Sequence, residues 1–250
     1  MELQTEAELQ NEIARLRAAL ARREREASRN ALQLERYAAD LRETFKQERE
    51  RTQQLTRSYK ATVRALSNAV EARDAYTGKH AERVAAYGIE IARALGLPRP
   101  DAPEMEFGFL LHDVGKVAVP DAILYKPGPL TAEERALMAR HPVVGAEIVG
   151  GIEFLSDAAK VVRSHHERWD GTGYPDGLAG EEIPIAARVF AVADVLDALI
   201  TDRPYRPGLA LPEARAMIVD GAGTQFDPSV VQAFSSIDDA TIERIGREVR

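Results

Sequence analysis

Apolar residues along the first 70 positions recur at the spacing of a helical heptad. This stretch contains neither proline nor glycine and is rich in Glu, Arg, Ala, Leu and Gln, so it predicts one long helix. The heptad seam comprises Ile13, Leu16, Leu20, Ala27, Leu34 and Leu41, with Leu9 preceding it. Its less regular continuation comprises Phe45, Leu55, Tyr59, Thr62, Leu66 and Val70. The pattern predicts a coiled coil over residues 1–65 that forms a parallel homodimer.

Two polar residues, Arg23 and Asn30, interrupt the heptad seam. Polar residues at such positions weaken a coiled coil and can fix its register. A single solvated amphipathic helix is the alternative interpretation, and we favour the dimer on the heptad spacing alone.

Beyond residue 70, short stretches of helical periodicity alternate with loops that contain glycine and proline. The first predicted helix carries His80, Val84, Tyr87 and Ile91 on one face and ends at Gly96. The next helix is predicted to end near Gly115. A third is predicted to run from a Thr131–Glu134 capping box to His141-Pro142, and a fourth to start at a Ser156 or Asp157 cap and end at His165-His166. Residues 186–200 are predicted to form a buried core helix. Since no convincing strand pattern occurs, residues 66–250 predict an all-α domain.

Composition narrows the chemistry of this domain. The chain has no cysteine, which excludes disulfides, thiolate nucleophiles and cysteine-ligated metals. The net charge is −7, and residues 1–70 hold 14 Lys and Arg against 11 Asp and Glu, so the acidic excess lies in the domain. An acidic domain argues against binding of duplex nucleic acid. The polar start and the lack of a long apolar run predict a cytoplasmic protein without a membrane span.

All five histidines lie beside a carboxylate, a turn or another histidine. Two adjacent pairs, His112-Asp113 and His165-His166, each supply two donors from one helix end. Taken alone, His80 would be interpreted as a hydrogen-bonded core residue. Asp113 and Asp194 are harder to explain structurally, because a carboxylate among apolar residues is costly unless it is paired or metal-bound. Imidazole and carboxylate donors therefore predict a site for divalent transition metals.

From about residue 70 to 235 the chain resembles the HD-GYP subclass of the HD metal-dependent phosphohydrolase superfamily. The matching motifs are Asp74-x-Tyr76-Thr77-x-x-His80, His112-Asp113-x-Gly115-Lys116, His141-Pro142, His165-His166-Glu167-x-x-Asp170-Gly171-x-Gly173-Tyr174-Pro175, Asp194-x-x-Asp197-Ala198-Leu199, Arg203-Pro204-Tyr205-Arg206 and Phe226-Asp227-Pro228. The resemblance implies an HD-type helical bundle preceded by the long N-terminal helix.

The resemblance also implies a binuclear metal centre. One ion would be bound by His80, His112, Asp113 and Asp194, and the second by His141, His165 and His166, with Asp113 bridging. Some members of the family bind a third ion through a glutamate four residues before the first histidine, where this chain has Tyr76. We therefore expect two divalent ions, with iron or manganese favoured, although such ligands also accept nickel and zinc.

The implied reaction is hydrolysis of cyclic di-GMP to pGpG, and possibly onward to GMP, by a hydroxide that bridges the metals. Asp113 and Lys116 are the expected catalytic residues, with Lys116 contacting the scissile phosphate; otherwise it is a cation at a helix C-terminus. Arg203 and Arg206 are expected to bind the other phosphate or a guanine edge, unless they cap the Asp194 helix.

The loop residues Gly173, Tyr174 and Pro175 are expected to lie near the ligand, or else to form a structural turn that orients the neighbouring histidines. The family resemblance also implies that this loop contacts diguanylate cyclase (GGDEF) domains. Asp197 and Glu167 are expected to hold imidazoles in the correct tautomer. A change in the rotation of the long helix could reach His80.

Two other functions remain open from sequence. One is an HD phosphohydrolase that acts on a mononucleotide or another cyclic dinucleotide. The other is a non-catalytic scaffold. The sequence argues against it, because every expected metal ligand is present.

Overall fold

The structure is a computed structural model that describes residues 2–73, 79–100, 102–202 and 207–249, with side chains from residue 6 onward. The chain divides into two compact units, residues 1–58 and residues 59–250. One helix, α1 (Glu2–Glu71), supplies the whole of the first unit and enters the second. The predicted long helix is therefore confirmed.

The apolar side chains of the heptad seam in the first unit are exposed to solvent. Leu16 is 60% exposed, and Leu34 is 67% exposed. These side chains are therefore not part of the buried core. Ion pairs between residues four apart, such as Arg22–Glu26, stabilise the helix locally, as is typical of a solvated helix. The dimer remains a prediction.

The last turns of α1 belong to the second unit and pack against it. Val63, Ser67 and Val70 are buried, and the Tyr59 ring stacks on Phe154 with 4.2 Å between centroids. Tyr59 and Val70 were expected in the continuation of the heptad seam. The structure instead uses both to attach α1 to the domain.

The second unit is a helical bundle. Its further helices are α2 (His80–Ala94), α3 (Pro103–Leu110), α4 (Asp121–Leu124), α5 (Ala132–Met138), α6 (His141–Gly150), α7 (Ser156–Ser164), α8 (Ile185–Ile200), α9 (Leu211–Asp220), α10 (Pro228–Ser235) and α11 (Asp239–Glu248). Short 3-10 helices occupy Val114–Ala118, Glu153–Leu155 and Gly180–Glu182. The described ranges contain no β-strand, so the predicted all-α class is confirmed.

The core forms where α2, α3 and α7 pack around α8. Helix α8 is almost wholly apolar, and the predicted core helix is confirmed by the complete burial of Phe190 and Leu196. Phe109 of α3 meets Phe190 at 5.5 Å between ring centroids. Gly88 of α2 allows this approach, because a Cβ there would lie 2.3 Å from the Phe109 ring. The packed core brings the ends of several helices together on one side of α8.

Three helix boundaries test the sequence predictions. The capping box of Thr131 and Glu134 is present at the start of α5. Neither Ser156 nor Asp157 caps α7, because Leu155 occupies the N-cap position. Helix α3 ends at Leu110, and the chain tightens into the 3-10 helix that contains Gly115.

A close backbone contact is made in the 3-10 helix that follows α3. A Cβ atom on Gly115 would lie 1.9 Å from the carbonyl oxygen of His141, so only glycine lets this segment reach the start of α6. The contact brings the segment carrying Asp113 against the segment carrying His141.

We predict that Gly115→Ala destabilises the domain by about 1–3 kcal/mol, because the added methyl group overlaps a carbonyl that is fixed by helix α6. Gly150→Ala is the matched control, since a Cβ there meets its nearest neighbour at an ordinary 3.7 Å. Urea unfolding of the two variants checks the prediction. Equal stability of Gly115→Ala and the wild type would contradict it.

Among the described residues, no helix has the combination of length and hydropathy that a bilayer span requires.

Candidate metal centre

The structure brings all seven predicted metal ligands to one place. They come from five segments: the start of α2, the residues after α3, the start of α6, the end of α7 and the middle of α8. The set is His80, His112, Asp113, His141, His165, His166 and Asp194. Potential ligand atoms of His141, His165 and His166 all lie within 4.8 Å of one another. The side chains are therefore close together in space, while their division between two ions stays a prediction.

Three imidazoles are oriented by the same device. Nδ1 of His112, His141 and His165 lies 2.7–2.8 Å from the carbonyl oxygen three residues earlier, at Phe109, Met138 and Val162. A carbonyl only accepts hydrogen bonds, so each Nδ1 carries the proton. Each Nε2 is then left with a lone pair when the ring is neutral, which is the form that binds metals.

These lone pairs converge. Nε2 of His141 lies 3.1 Å from Nε2 of His165, and neither atom has a proton to donate to the other in the neutral tautomers fixed by Nδ1. Burial, together with neighbouring His166 and His112, lowers the pKa of His165 well below its usual value. Burial, followed by the effect of His141, lowers the pKa of His166 to about 4. His165 and His166 are therefore neutral near pH 7.

Asp113 lies at the centre of the cluster. One carboxylate oxygen is 3.1 Å from Nε2 of His112, and the other is 3.3 Å from Nε2 of His141. The ammonium of Lys116 is 2.8 Å from the first of these oxygens. Burial acts to raise the pKa of Asp113, but His112 and Lys116 outweigh it and hold that pKa well below its usual range. An ionised carboxylate thus extends one oxygen toward each half of the cluster.

His80 is held from α8. Its Nδ1 lies 2.8 Å from Asp197, and its Nε2 lies 3.3 Å from Asp194. Burial acts to lower the pKa of His80, but the two aspartates prevail and raise it to about 10. Arg83, one turn along α2, donates from Nε to Asp197 over 2.6 Å. Asp197 therefore orients an imidazole, as expected from sequence.

Glu167 differs from expectation. Its Oε1 accepts hydrogen bonds from the backbone N–H groups of Asp176 and Gly177, at 2.7 and 3.1 Å. The carboxylate therefore fixes the end of the glycine-rich loop rather than the tautomer of an imidazole.

The glycine-rich loop lies directly on the cluster. Tyr174 stacks on His166 with 4.7 Å between ring centroids. Gly173 passes so close to the backbone of residues 166–168 that a Cβ would lie 2.4 Å from the amide nitrogen of Arg168. Both interpretations of the loop are thus compatible with its position, because Tyr174 orients His166 and also borders the site.

A cavity of about 200 Å³ opens at the cluster. Its walls include His80, His112, Asp113, Lys116, His166 and Asp194 together with Ser67, Val70 and Glu71 of α1. The contribution of α1 was missed at the sequence level, as was the Arg83–Asp197 pair. A basic residue three positions after His80 was the only available signal for the pair, and it is also typical of a solvated helix face.

Other predicted positions fall outside the described residues. These are Asp74, Tyr76 and Thr77 of the first motif, and Arg203, Pro204, Tyr205 and Arg206. Asp227, from the motif near the C-terminus, has a structural role: it caps α10 through the Ser229 N–H and accepts from Arg188 at 2.8 Å.

Comparison with protein families decides the classification. The HD domain model matches residues 64–230. The chain belongs to the HD domain family. The predicted resemblance is therefore confirmed, and the matched region contains every proposed metal ligand.

Two curated relatives of this HD domain are phosphodiesterases by name. The cyclic di-GMP phosphodiesterase response regulator RpfG of Xanthomonas campestris pv. campestris is 41% identical over 206 residues, which cover 81% of this chain and 52% of the relative. The 3'3'-cGAMP-specific phosphodiesterase 2 of Vibrio cholerae is 42% identical over 180 residues, which cover 71% of this chain and 34% of the relative. The chain spans about half or less of these relatives.

A solved structure supports the fold of the HD domain. Bd1817, an HDG"Y"P protein from Bdellovibrio bacteriovorus, aligns with a TM-score of 0.50 and 27% identity over 62% of this chain and 50% of that one.

The HD domain family binds divalent metals, and the donors in this chain fit such ions. The facing Nε2 lone pairs of His141 and His165, and the ionised carboxylate of Asp113 beside them, match the charge and the ligand preference of a divalent cation. The number and identity of the ions belong to the proposal below.

We predict that histidine side-chain nitrogen NMR of the metal-free protein will show His141 and His165 as neutral rings protonated at Nδ1. The backbone carbonyls leave no alternative for that nitrogen. Added Zn²⁺ should then shift mainly their Nε2 resonances. Rings protonated at Nε2 would contradict the geometry.

Proposed function

We propose that this chain is a metal-dependent phosphodiesterase that hydrolyses cyclic di-GMP. The single observation that carries the proposal is the convergence of seven nitrogen and oxygen donors beside a cavity that also holds Lys116. The names of relatives at 41–48% identity, which include cyclic di-GMP phosphodiesterases, support the substrate. Water adds as one phosphodiester P–O bond breaks, giving pGpG; a second hydrolysis would give GMP.

The proposed ligands divide into two sets that share Asp113. His80, His112, Asp113 and Asp194 form the first, and His141, His165 and His166 form the second. Bound divalent ions, iron or manganese by preference, would activate water and neutralise the phosphodiester oxygens. The geometry of Asp113 supports this proposed division, because its two oxygens lie near His112 and His141 respectively.

Lys116 is proposed to bind the scissile phosphate. Its ammonium lines the cavity and lies 2.8 Å from Asp113, so it can neutralise an anionic phosphate beside the ligand cluster. Gly173, Tyr174 and Pro175 are proposed to border the substrate from the loop that lies on His166. Arg203 and Arg206 remain proposed contacts to the second phosphate or a guanine edge. The loop is also the proposed surface for GGDEF domains.

A second candidate substrate is 3'3'-cGAMP. The specific observation in its favour is that a relative named as specific for it is as similar to this chain, at 42% identity, as RpfG is at 41%. The two cyclic dinucleotides differ in one base, and contacts to a base edge decide such a difference.

A substrate panel tests the proposal. We predict that the reconstituted wild-type protein hydrolyses cyclic di-GMP faster than 3'3'-cGAMP or mononucleotides, and that His112→Ala with Asp113→Ala abolishes turnover by removing ligands from the first set. Chromatography of the products provides the measurement. Faster turnover of 3'3'-cGAMP would select the second substrate. Metal binding without turnover of any nucleotide would favour the scaffold.

We also propose that α1 forms a parallel coiled-coil homodimer. The support is the exposed heptad seam in residues 6–58, where side chains as large as Leu20 and Leu34 are 58% and 67% exposed. Burial of apolar side chains between two copies would remove this exposure.

A matched set of leucine substitutions tests the dimer. Leu20→Lys with Leu34→Lys places two charges in the heptad seam, and we predict that it converts the dimer to monomer in sedimentation analysis. Leu32→Lys is the control, because Leu32 is also exposed, at 52%, but lies outside the seam. Equal dimerisation of all three proteins, or a monomeric wild type, would contradict the coiled coil.

A further inference from the structure

The N-terminus of α2 carries His80 as its first residue, and the side chain at its N-cap position makes no capping hydrogen bond. Lys79 occupies the N-cap position in the left-handed conformation, with φ of 59°. A lysine side chain contains no hydrogen-bond acceptor, so it cannot satisfy the free N–H groups of the first helical turn. The acceptor for these groups is therefore another residue or water.

Glu71, in the last turn of α1, supplies that acceptor. Its Oε1 accepts a hydrogen bond from the backbone N–H of Ala81 over 2.7 Å. A carboxylate at this position also faces the positive end of the α2 dipole. The cap of α2 is thus delivered by another helix, ten residues upstream in sequence.

Glu71 also lies at the proposed active site. It lines the same cavity as His80, Asp113 and Asp194. The backbone N–H that donates to Glu71 belongs to Ala81, the residue directly after His80. Its hydrogen bond therefore fixes the backbone from which the His80 imidazole reaches Asp194 and Asp197.

The end of α1 is itself anchored, so the cap is held in place. Ser67 donates from its hydroxyl to the Leu110 carbonyl over 2.7 Å, two residues before His112. Glu106 of α3 is buried, at 5% exposure, and accepts from Lys60 and Arg64 of α1. These contacts attach the last turns of α1 to the helix that leads into the His112-Asp113 pair.

We propose that Glu71 is a positioning residue for His80. Through it, helix α1 holds one half of the metal centre: the side chain caps α2 and so sets the position of His80 relative to Asp194. The inference rests on the proposed function, since it assigns Glu71 a role toward a metal bound by His80. It also names the contact by which a displacement of α1 reaches that ligand.

Cobalt titration of the metal-free full-length protein tests the inference without use of a substrate. Visible absorption and calorimetry together report how many Co²⁺ ions bind and how tightly. Loss of a partner that orients a ligand typically weakens a metal by about 10–100-fold. We expect Glu71→Ala to weaken one of two Co²⁺ sites by about tenfold or more and to leave the other within about twofold.

Two conservative variants separate positioning from general stability. Glu71→Gln keeps the length and an acceptor oxygen, and should bind Co²⁺ like the wild type. Glu71→Asp keeps the charge but is shorter by one methylene, and should resemble Glu71→Ala. Glu90→Ala is the control for the loss of a carboxylate, because Glu90 lies within α2 and pairs with Arg93 of the same helix. Its Co²⁺ affinities should equal those of the wild type.

Each contrary result has a distinct meaning. Wild-type affinity in Glu71→Ala, or in Glu71→Asp if the alanine variant fails to fold, would overturn the role of Glu71 alone. Equal losses in Glu71→Gln and Glu71→Ala would also overturn it, because capping requires only an acceptor. Failure of the wild-type protein to bind two ions would overturn the proposed metal centre, and this inference with it.

Discussion

Hydrogen bonds from imidazole Nδ1 atoms to the last carbonyls of helices are the interactions on which the candidate site depends. A helix leaves its final carbonyls without intrahelical partners. In this domain, α3, α5 and α7 each offer such a carbonyl to a histidine three residues further on. One contact therefore satisfies an orphan backbone group, selects the tautomer and directs Nε2 inward. The same device used three times places three lone pairs around Asp113.

The packing of the bundle serves this arrangement. Helix termini meet at a common point only because close backbone contacts are allowed, above all the approach of Gly115 to the start of α6. Helix α8 provides the rigid surface from which Asp194 and Asp197 hold His80. Arg83 makes the burial of Asp197 tolerable, since an unpaired carboxylate at 1% exposure would be strongly unfavourable. Core packing and site electrostatics are thus linked through individual residues of α2 and α8.

Candidate metal ligands could be proposed from the sequence because histidine and aspartate are residue types that bind divalent transition metals. The absence of cysteine and the placement of His112-Asp113 and His165-His166 at helix ends predicted a metal site of nitrogen and oxygen ligands, and the resemblance to the HD-GYP family implied the full ligand set. The helical periodicity predicted α2 and α8. Contacts between segments distant in sequence were not accessible. No pattern shows that Glu71 reaches Ala81, or that Tyr59 and Val70 face the domain instead of continuing the heptad seam. The role of Glu167 was wrong for the same reason, because its partners are backbone groups of a loop whose path depends on tertiary packing.

We propose that the seven ligands bind two divalent ions on either side of Asp113. Crystals of the manganese-reconstituted protein, measured near the manganese absorption edge, test this claim directly through anomalous scattering. Two peaks are expected, one beside His80, His112 and Asp194 and one beside His141, His165 and His166, with the Asp113 carboxylate between them. A single peak, or peaks away from these side chains, would contradict it.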